Sequence, residues 1–133
     1  MAITSVTPTK VLRVNTGYSL VATAALGSLA STDAYYKAST GTYGAKLPVE
    51  KKMTHYALLI ENSDSSAAAD VFLVANEHPF FEKEDLKISV AESTTVVVQF
   101  DTGRYVRLFG ADKGHLIVRG AAATVKVALI ELP

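Results

Sequence analysis

Apolar residues recur at every second position through the last third of the chain. Val96, Val98 and Phe100 alternate with Thr95, Val97 and Gln99, and the run stops at Asp101-Thr102-Gly103. Arg104 to Phe109 follows, with Val106 and Leu108 on one side. Gly110 to Gly114 turns the chain into His115–Arg119, and Val125, Val127 and Leu129 then alternate with Lys126 and Ala128 down to Glu131. Alternation bounded by Gly, Asp and Thr predicts half-buried antiparallel strands.

The same pattern, more weakly written, extends upstream. Tyr56, Leu58 and Ile60 share one face of a strand over Thr54–Glu61. Asn62 to Ser66 reads as a turn, and a return strand from Val71 completes an expected hairpin. Ile88 and Val90 mark a short strand. Val11–Ala25 reads as two strands about Asn15-Thr16-Gly17, with Ala22, Ala24 and Ala25 leaving a helix open. Met1–Lys10, interrupted by Pro8, is an edge strand or a flexible arm that orders on a neighbour. Gly27–Val49, rich in Ser, Thr, Gly and Tyr, reads as a long loop. Eight to ten short strands with no amphipathic helix predict one all-β domain over 1–133. The expected form is an antiparallel β-sandwich or a small jelly-roll-like barrel.

Composition narrows the function. The 133 residues carry 13 Lys+Arg and 13 Asp+Glu, so neither the basic excess nor the basic block usual in a nucleic-acid binder is present. No apolar run reaches membrane-spanning length, and the N-terminus lacks the pattern of a signal peptide, which sets the expectation of a cytoplasm as the place of synthesis. With no cysteine there is no thiol nucleophile and no disulfide framework. Apolar residues make up 49% and charged ones only 20%, a balance suited to a protein that covers apolar surface against partners or copies of itself.

Candidate chemistry is sparse. His55, His78 and His115 lie far apart without metal-ligand spacing. Glu77, Glu82, Glu84 and Asp85 cluster but lack the order of a calcium loop. Asp64-Ser65-Ser66 is too common a combination to indicate a triad. No cofactor, metal or catalytic residue is therefore expected, and the chain reads as a non-enzyme. Contact residues are better candidates. Tyr35, Tyr36 and Tyr43 sit among Ser and Gly, either as a contact surface or as caps on the end of the sandwich. Phe80 and Phe81 are adjacent, so an extended chain turns one of them outward as an anchor. Arg104 and Arg107, with Arg119, Lys113 and Lys126, are either cross-strand partners of Asp101 and Glu131 or the rim of a subunit interface.

The segments Leu58–Asn62, Ser89–Thr95, Asp101–Tyr105, Asp112–Gly114 and Val125–Pro133 together resemble small all-β structural proteins of tailed bacteriophages and prophages. The likeness runs from Thr54 to Pro133 and departs from the pattern at His78–Glu84. It implies a decoration or auxiliary head protein located in the virion and made and assembled in the bacterial host cytoplasm, with the major capsid protein as partner and a homotrimer as its assembly. A tail or head-fibre structural protein is a variant of the same implication. Gly103–Leu108 is also similar to a strand of discoidin-like jelly rolls, which implies carbohydrate binding as the alternative. Those domains are longer, secreted and richer in Trp and Cys.

Overall fold

A computed structural model describes residues 3–10, 23–49, 56–77, 84–100 and 102–131. Two β-sheets pack face to face around one core. In chain order the strands are β1 (Thr4–Ser5), β2 (Thr9–Lys10), β3 (Ala24–Ala25), β4 (Gly27–Ser28), β5 (Tyr43–Pro48) and β6 (Tyr56–Asn62). After them come β7 (Ala69–Leu73), β8 (Leu86–Val90), β9 (Thr94–Val98), the four-residue helix α1 (Thr102–Tyr105), β10 (His115–Gly120) and β11 (Val125–Glu131). The first sheet runs β1-β5-β10-β7-β8, with β4 also on β5. The second runs β2-β11-β6-β9, with β3 also on β11. The architecture is thus the expected β-sandwich.

Alternation explains which residues fill it. Leu47 on β5, Leu58 and Ile60 on β6, Val71 and Leu73 on β7 are fully buried, as are Leu116 and Val118 on β10 and Val125, Val127 and Leu129 on β11. Each strand offers one face to the same core, and burying such a side chain contributes about 1.5–3 kcal/mol. The two N-terminal segments close one side of the sandwich. Residues 4–10 give two residues to β5 and then two to β11; residues 24–28 give two to β11 and then two to β5. The residues at the crossings, Val6 and Leu26, are buried in the core. The segment read as an edge strand or an arm is thus paired over Thr4–Ser5 and Thr9–Lys10.

Three expectations need correction. The long loop over 27–49 stops short, because Tyr43–Pro48 is β5, paired along its whole length with β10. Tyr43, Ala45, Leu47 and Val49 alternate in the sequence, and the first three belong to the strand. The strands β6 and β7 do not form a hairpin. They lie in different sheets, β6 between β11 and β9 and β7 between β10 and β8. Residues 104–109 do not form a strand either: Thr102–Tyr105 is helical, and Val106 makes only an isolated bridge to Leu116. Tyr105 and Val106 are consecutive and both buried, which an extended strand does not allow on one face. The two strands read within Val11–Ala25 fall largely outside the described residues.

A buried asparagine fastens each end of the sandwich. At one end the Asn62 amide donates to the carbonyls of Ala67 (2.9 Å) and Val90 (3.2 Å). Its Oδ1 accepts from the Asp64 N–H and the Thr124 hydroxyl, both at 3.1 Å. One side chain therefore holds three connections. At the other end Asn76 donates to the carbonyls of Gly103 (2.7 Å) and Val106 (2.9 Å), tying α1 to the end of β7. Buried polar groups are retained when they are satisfied in this way.

Candidate interaction surface

The Asn76 end of the sandwich carries the loop that follows α1. Arg107 donates its N–H to the His115 carbonyl (2.9 Å), and Gly114 returns an N–H to the Arg107 carbonyl (2.9 Å), which closes the base of the loop. Gly110 and Gly114 both hold φ near +80°, a region that L side chains adopt at a cost. Glu77 braces the tip. Its carboxylate accepts the N–H of Leu108 (2.9 Å) and of Phe109 (3.3 Å) and lies 3.6 Å from the Arg107 guanidinium. Burial raises the pKa of the Glu77 carboxyl. The Leu108 N–H, its own backbone N–H, Arg107 and the Phe109 N–H outweigh that and hold it below the ordinary value.

Phe109 itself projects from this braced loop with 67% of its surface exposed. At the base of the same loop Val49, Val106, Leu108 and Gly114, together with Arg107 and Lys113, line a largely apolar cavity of about 190 Å³. An exposed aromatic on a fixed loop with an apolar recess at its base is a contact-making arrangement.

Tyr35 docks against the same loop. The Arg107 guanidinium lies 5.5 Å from the Tyr35 ring centre, and the Tyr35 hydroxyl donates to Asp112 at 2.9 Å. Lys46 reaches the other Asp112 oxygen at 3.8 Å. Arg119, on β10, donates to the Tyr35 carbonyl (2.9 Å) and pairs with Asp85. Next to it, the turn at Lys37–Gly41 sits so close that a Cβ on Gly41 would lie 2.8 Å from the Arg119 Cδ. The outer face of the first sheet is covered here, and Ile117 is fully buried although it faces away from the main core.

Desolvation and the hydrogen bond to Asp112 push the Tyr35 hydroxyl up to about 12. A phenol whose folded pKa is raised favours the neutral form. Its contribution is therefore present in full below about pH 10 and is lost as pH climbs from there through about 12. In an ultraviolet titration Tyr35 should ionise near pH 12, and Tyr35→Phe should remove that contribution to the late part of the curve. If that contribution survives in Tyr35→Phe, the docking described is wrong.

The structure brings together two of the residues chosen from sequence, Tyr35 and Arg107. Tyr36 is half-buried with its N–H on the Asp33 carbonyl (3.1 Å). Tyr43 packs against the core from β5. Arg104 is half-buried on α1, where its carbonyl accepts the Asn76 N–H (2.8 Å). Phe80 and Phe81 lie outside the described residues. Phe109, which a strand through 104–109 puts at a strand end, is the exposed aromatic that the sequence does not single out. Among the described residues Arg107 and Arg119 are committed to Glu77 and Asp85, from other parts of the chain. Those two acids thus serve separate arginines. No three His, Asp or Glu side chains among the described residues converge as a metal site. Asp64 caps its own turn through the N–H groups of Ser66 and Ala67.

Fold and surface together define a two-sheet β-sandwich whose exposed aromatic is presented on a braced loop at one end. Compared with protein-family models, curated proteins and solved structures, the chain matches none of them. No helix among the described residues is long and apolar enough to cross a membrane.

Proposed function

We propose that this chain is a non-enzymatic structural protein of a tailed-phage virion. In this reading it binds the outside of the assembled head shell, with the major capsid protein as its partner. The observation that supports the reading is Phe109, two-thirds exposed on a loop whose backbone is already fixed by Glu77, Arg107 and His115. A partner that binds such a loop meets an anchor that needs little further ordering, and the cost of immobilisation is small. The resemblance over Thr54–Pro133 supplies the class of partner. A stable contact of ordinary size buries ~1,600 Å² in total, and many copies across subunit junctions would make the stabilisation collective.

Purified protein mixed with undecorated head shells and sedimented should bind at a fixed ratio to saturation, and should raise the temperature at which the shells come apart. Binding that never saturates, or shells that dissociate at the same temperature, would contradict the reading. A glycan array run in parallel distinguishes the alternative. Glycan capture without shell binding would reassign the chain to the carbohydrate-binding class.

A further inference from the structure

A sheet edge bares a row of backbone N–H and C=O groups to any strand that can reach it, and folded chains ordinarily blunt such edges with very short strands or an exposed lysine. Among the described residues three of the four edges of this sandwich are blunted. The outer side of β5 carries only the two-residue strands β1 and β4, and that of β11 only β2 and β3, which are equally short. The third edge, β8, has an exposed lysine, Lys87, which lies 3.5 Å from Asp70. The fourth, β9, has none of these devices. Thr94-Thr95-Val96-Val97-Val98 holds no charge, Pro or Gly and follows β6 in unbroken register. Among the described residues it has no strand on its other side and no backbone hydrogen bond beyond the β6 pairing. Every second residue of β9 therefore turns its N–H and C=O outward.

The core is also part-covered on this flank. The inward apolar residues of β6, β7, β10 and β11 are buried, whereas Leu86 and Ile88 on β8 and Val96 and Val98 on β9 pack against the same core and remain half-exposed. Outward-facing Val97 is 63% exposed. A row of outward backbone groups is matched by another strand, and uncharged β-branched side chains are matched by neighbours of the same kind.

We propose that two copies of this chain pair through β9, edge to edge and antiparallel, about a two-fold axis at Val96, so that the second sheet continues from one copy into the other. Val96 then lies opposite the partner's Val96 and Thr94 opposite the partner's Val98, on the core side. On the outer side Thr95 lies opposite the partner's Val97, and each contact off the axis occurs twice. Glu92 falls opposite the partner's Phe100, so no like charges face one another across the seam. The two-fold uses up the edge of both copies, which makes the assembly a closed pair and not a fibre. Five residues give a seam only about 17 Å long, and its contact is smaller than the roughly 1,200 Å² at which stable interfaces begin. Pairing is therefore concentration-dependent. It does not rest on the shell as partner, and it gives a two-fold assembly where the phage resemblance implies a three-fold one.

Sedimentation equilibrium of the full chain from micromolar to millimolar concentration tests it. The weight-average mass should rise from 14.2 kDa towards twice that value. Thr95 and Val97 are both exposed, so charges placed there leave the fold of the single chain intact. Val97→Lys and Thr95→Glu should each weaken pairing roughly three- to tenfold, because each sets like charges diagonally across the axis. An equal mixture of the two should associate more tightly than either alone, since the lysine at 97 of one copy then lies directly opposite the glutamate at 95 of the other. A variant that had merely lost stability would not be repaired by mixing. A chain that stays monomeric at millimolar concentration, a trimer or larger assembly, or a mixture that associates no better than its components would overturn the proposal.

Discussion

Replacing Asn62 with alanine should lower the melting temperature by roughly 10 °C, a large effect for a single polar side chain. Asn62 is fully buried, and its amide and carbonyl together hold the β6–β7 connection, the end of β8 and the loop before β11. Alanine leaves the Ala67 and Val90 carbonyls without their donor and the Thr124 hydroxyl without its acceptor. A buried polar group left unpaired costs about 1–3 kcal/mol. Together these amount to about 3 kcal/mol or more once water entry relieves part of the loss. Asn62→Asp separates the two roles: it keeps an acceptor for Thr124 and loses the donor. It should be destabilised at least as strongly at neutral pH, where a buried carboxylate would face carbonyl oxygens. Thermal unfolding followed by circular dichroism gives the answer. A shift within about 2 °C for the alanine variant would mean that Asn62 does not fasten that end.

Phe109→Ser should abolish most shell affinity and leave the fold intact. The side chain is largely exposed in the free protein, so its removal should move the melting temperature by no more than a degree or two. A phenylalanine fully buried at a contact contributes about 2–3 kcal/mol, which corresponds to a loss of roughly 30-fold or more in affinity. Glu77→Gln provides the complementary test. It leaves Phe109 in place but removes the charge that holds the Leu108 and Phe109 N–H groups and faces Arg107. Its effect should be smaller and should be seen mainly as faster dissociation from the shell. If Phe109→Ser binds shells as tightly as the unaltered chain, the anchor lies elsewhere.

Much of the fold could be read from alternation alone, and the exceptions have physical causes. β6, β9, β10 and β11 each place every second residue in the core, although on β10 the covered outer face adds Ile117 between Leu116 and Val118. β5 obeys the same rule, but its Gly, Lys and Pro between the inward residues resemble loop composition. The chain gives no local signal of which sheet a strand joins, and so β6 and β7 looked like neighbours although the turn between them crosses the sandwich. The helical turn at Thr102–Tyr105 exists because Asn76, far off in sequence, draws the Gly103 and Val106 carbonyls inward. The candidate site has the same character. The sequence offers Tyr35 and Arg107 only as separate residues, since their stacking depends on β5 and β10 lying side by side. Phe109 reads in sequence as the end of a strand, because its N–H partner, the Glu77 carboxylate, comes from a distant part of the chain.

In the proposed function this domain presses a preformed surface against a larger assembly. Electron cryomicroscopy of head shells saturated with the protein tests it directly. The density should show the sandwich seated over junctions between capsid subunits, with the 107–114 loop against the shell and Phe109 covered. Density for a bare shell, or for a bound domain whose Phe109 loop points into solvent, would contradict it.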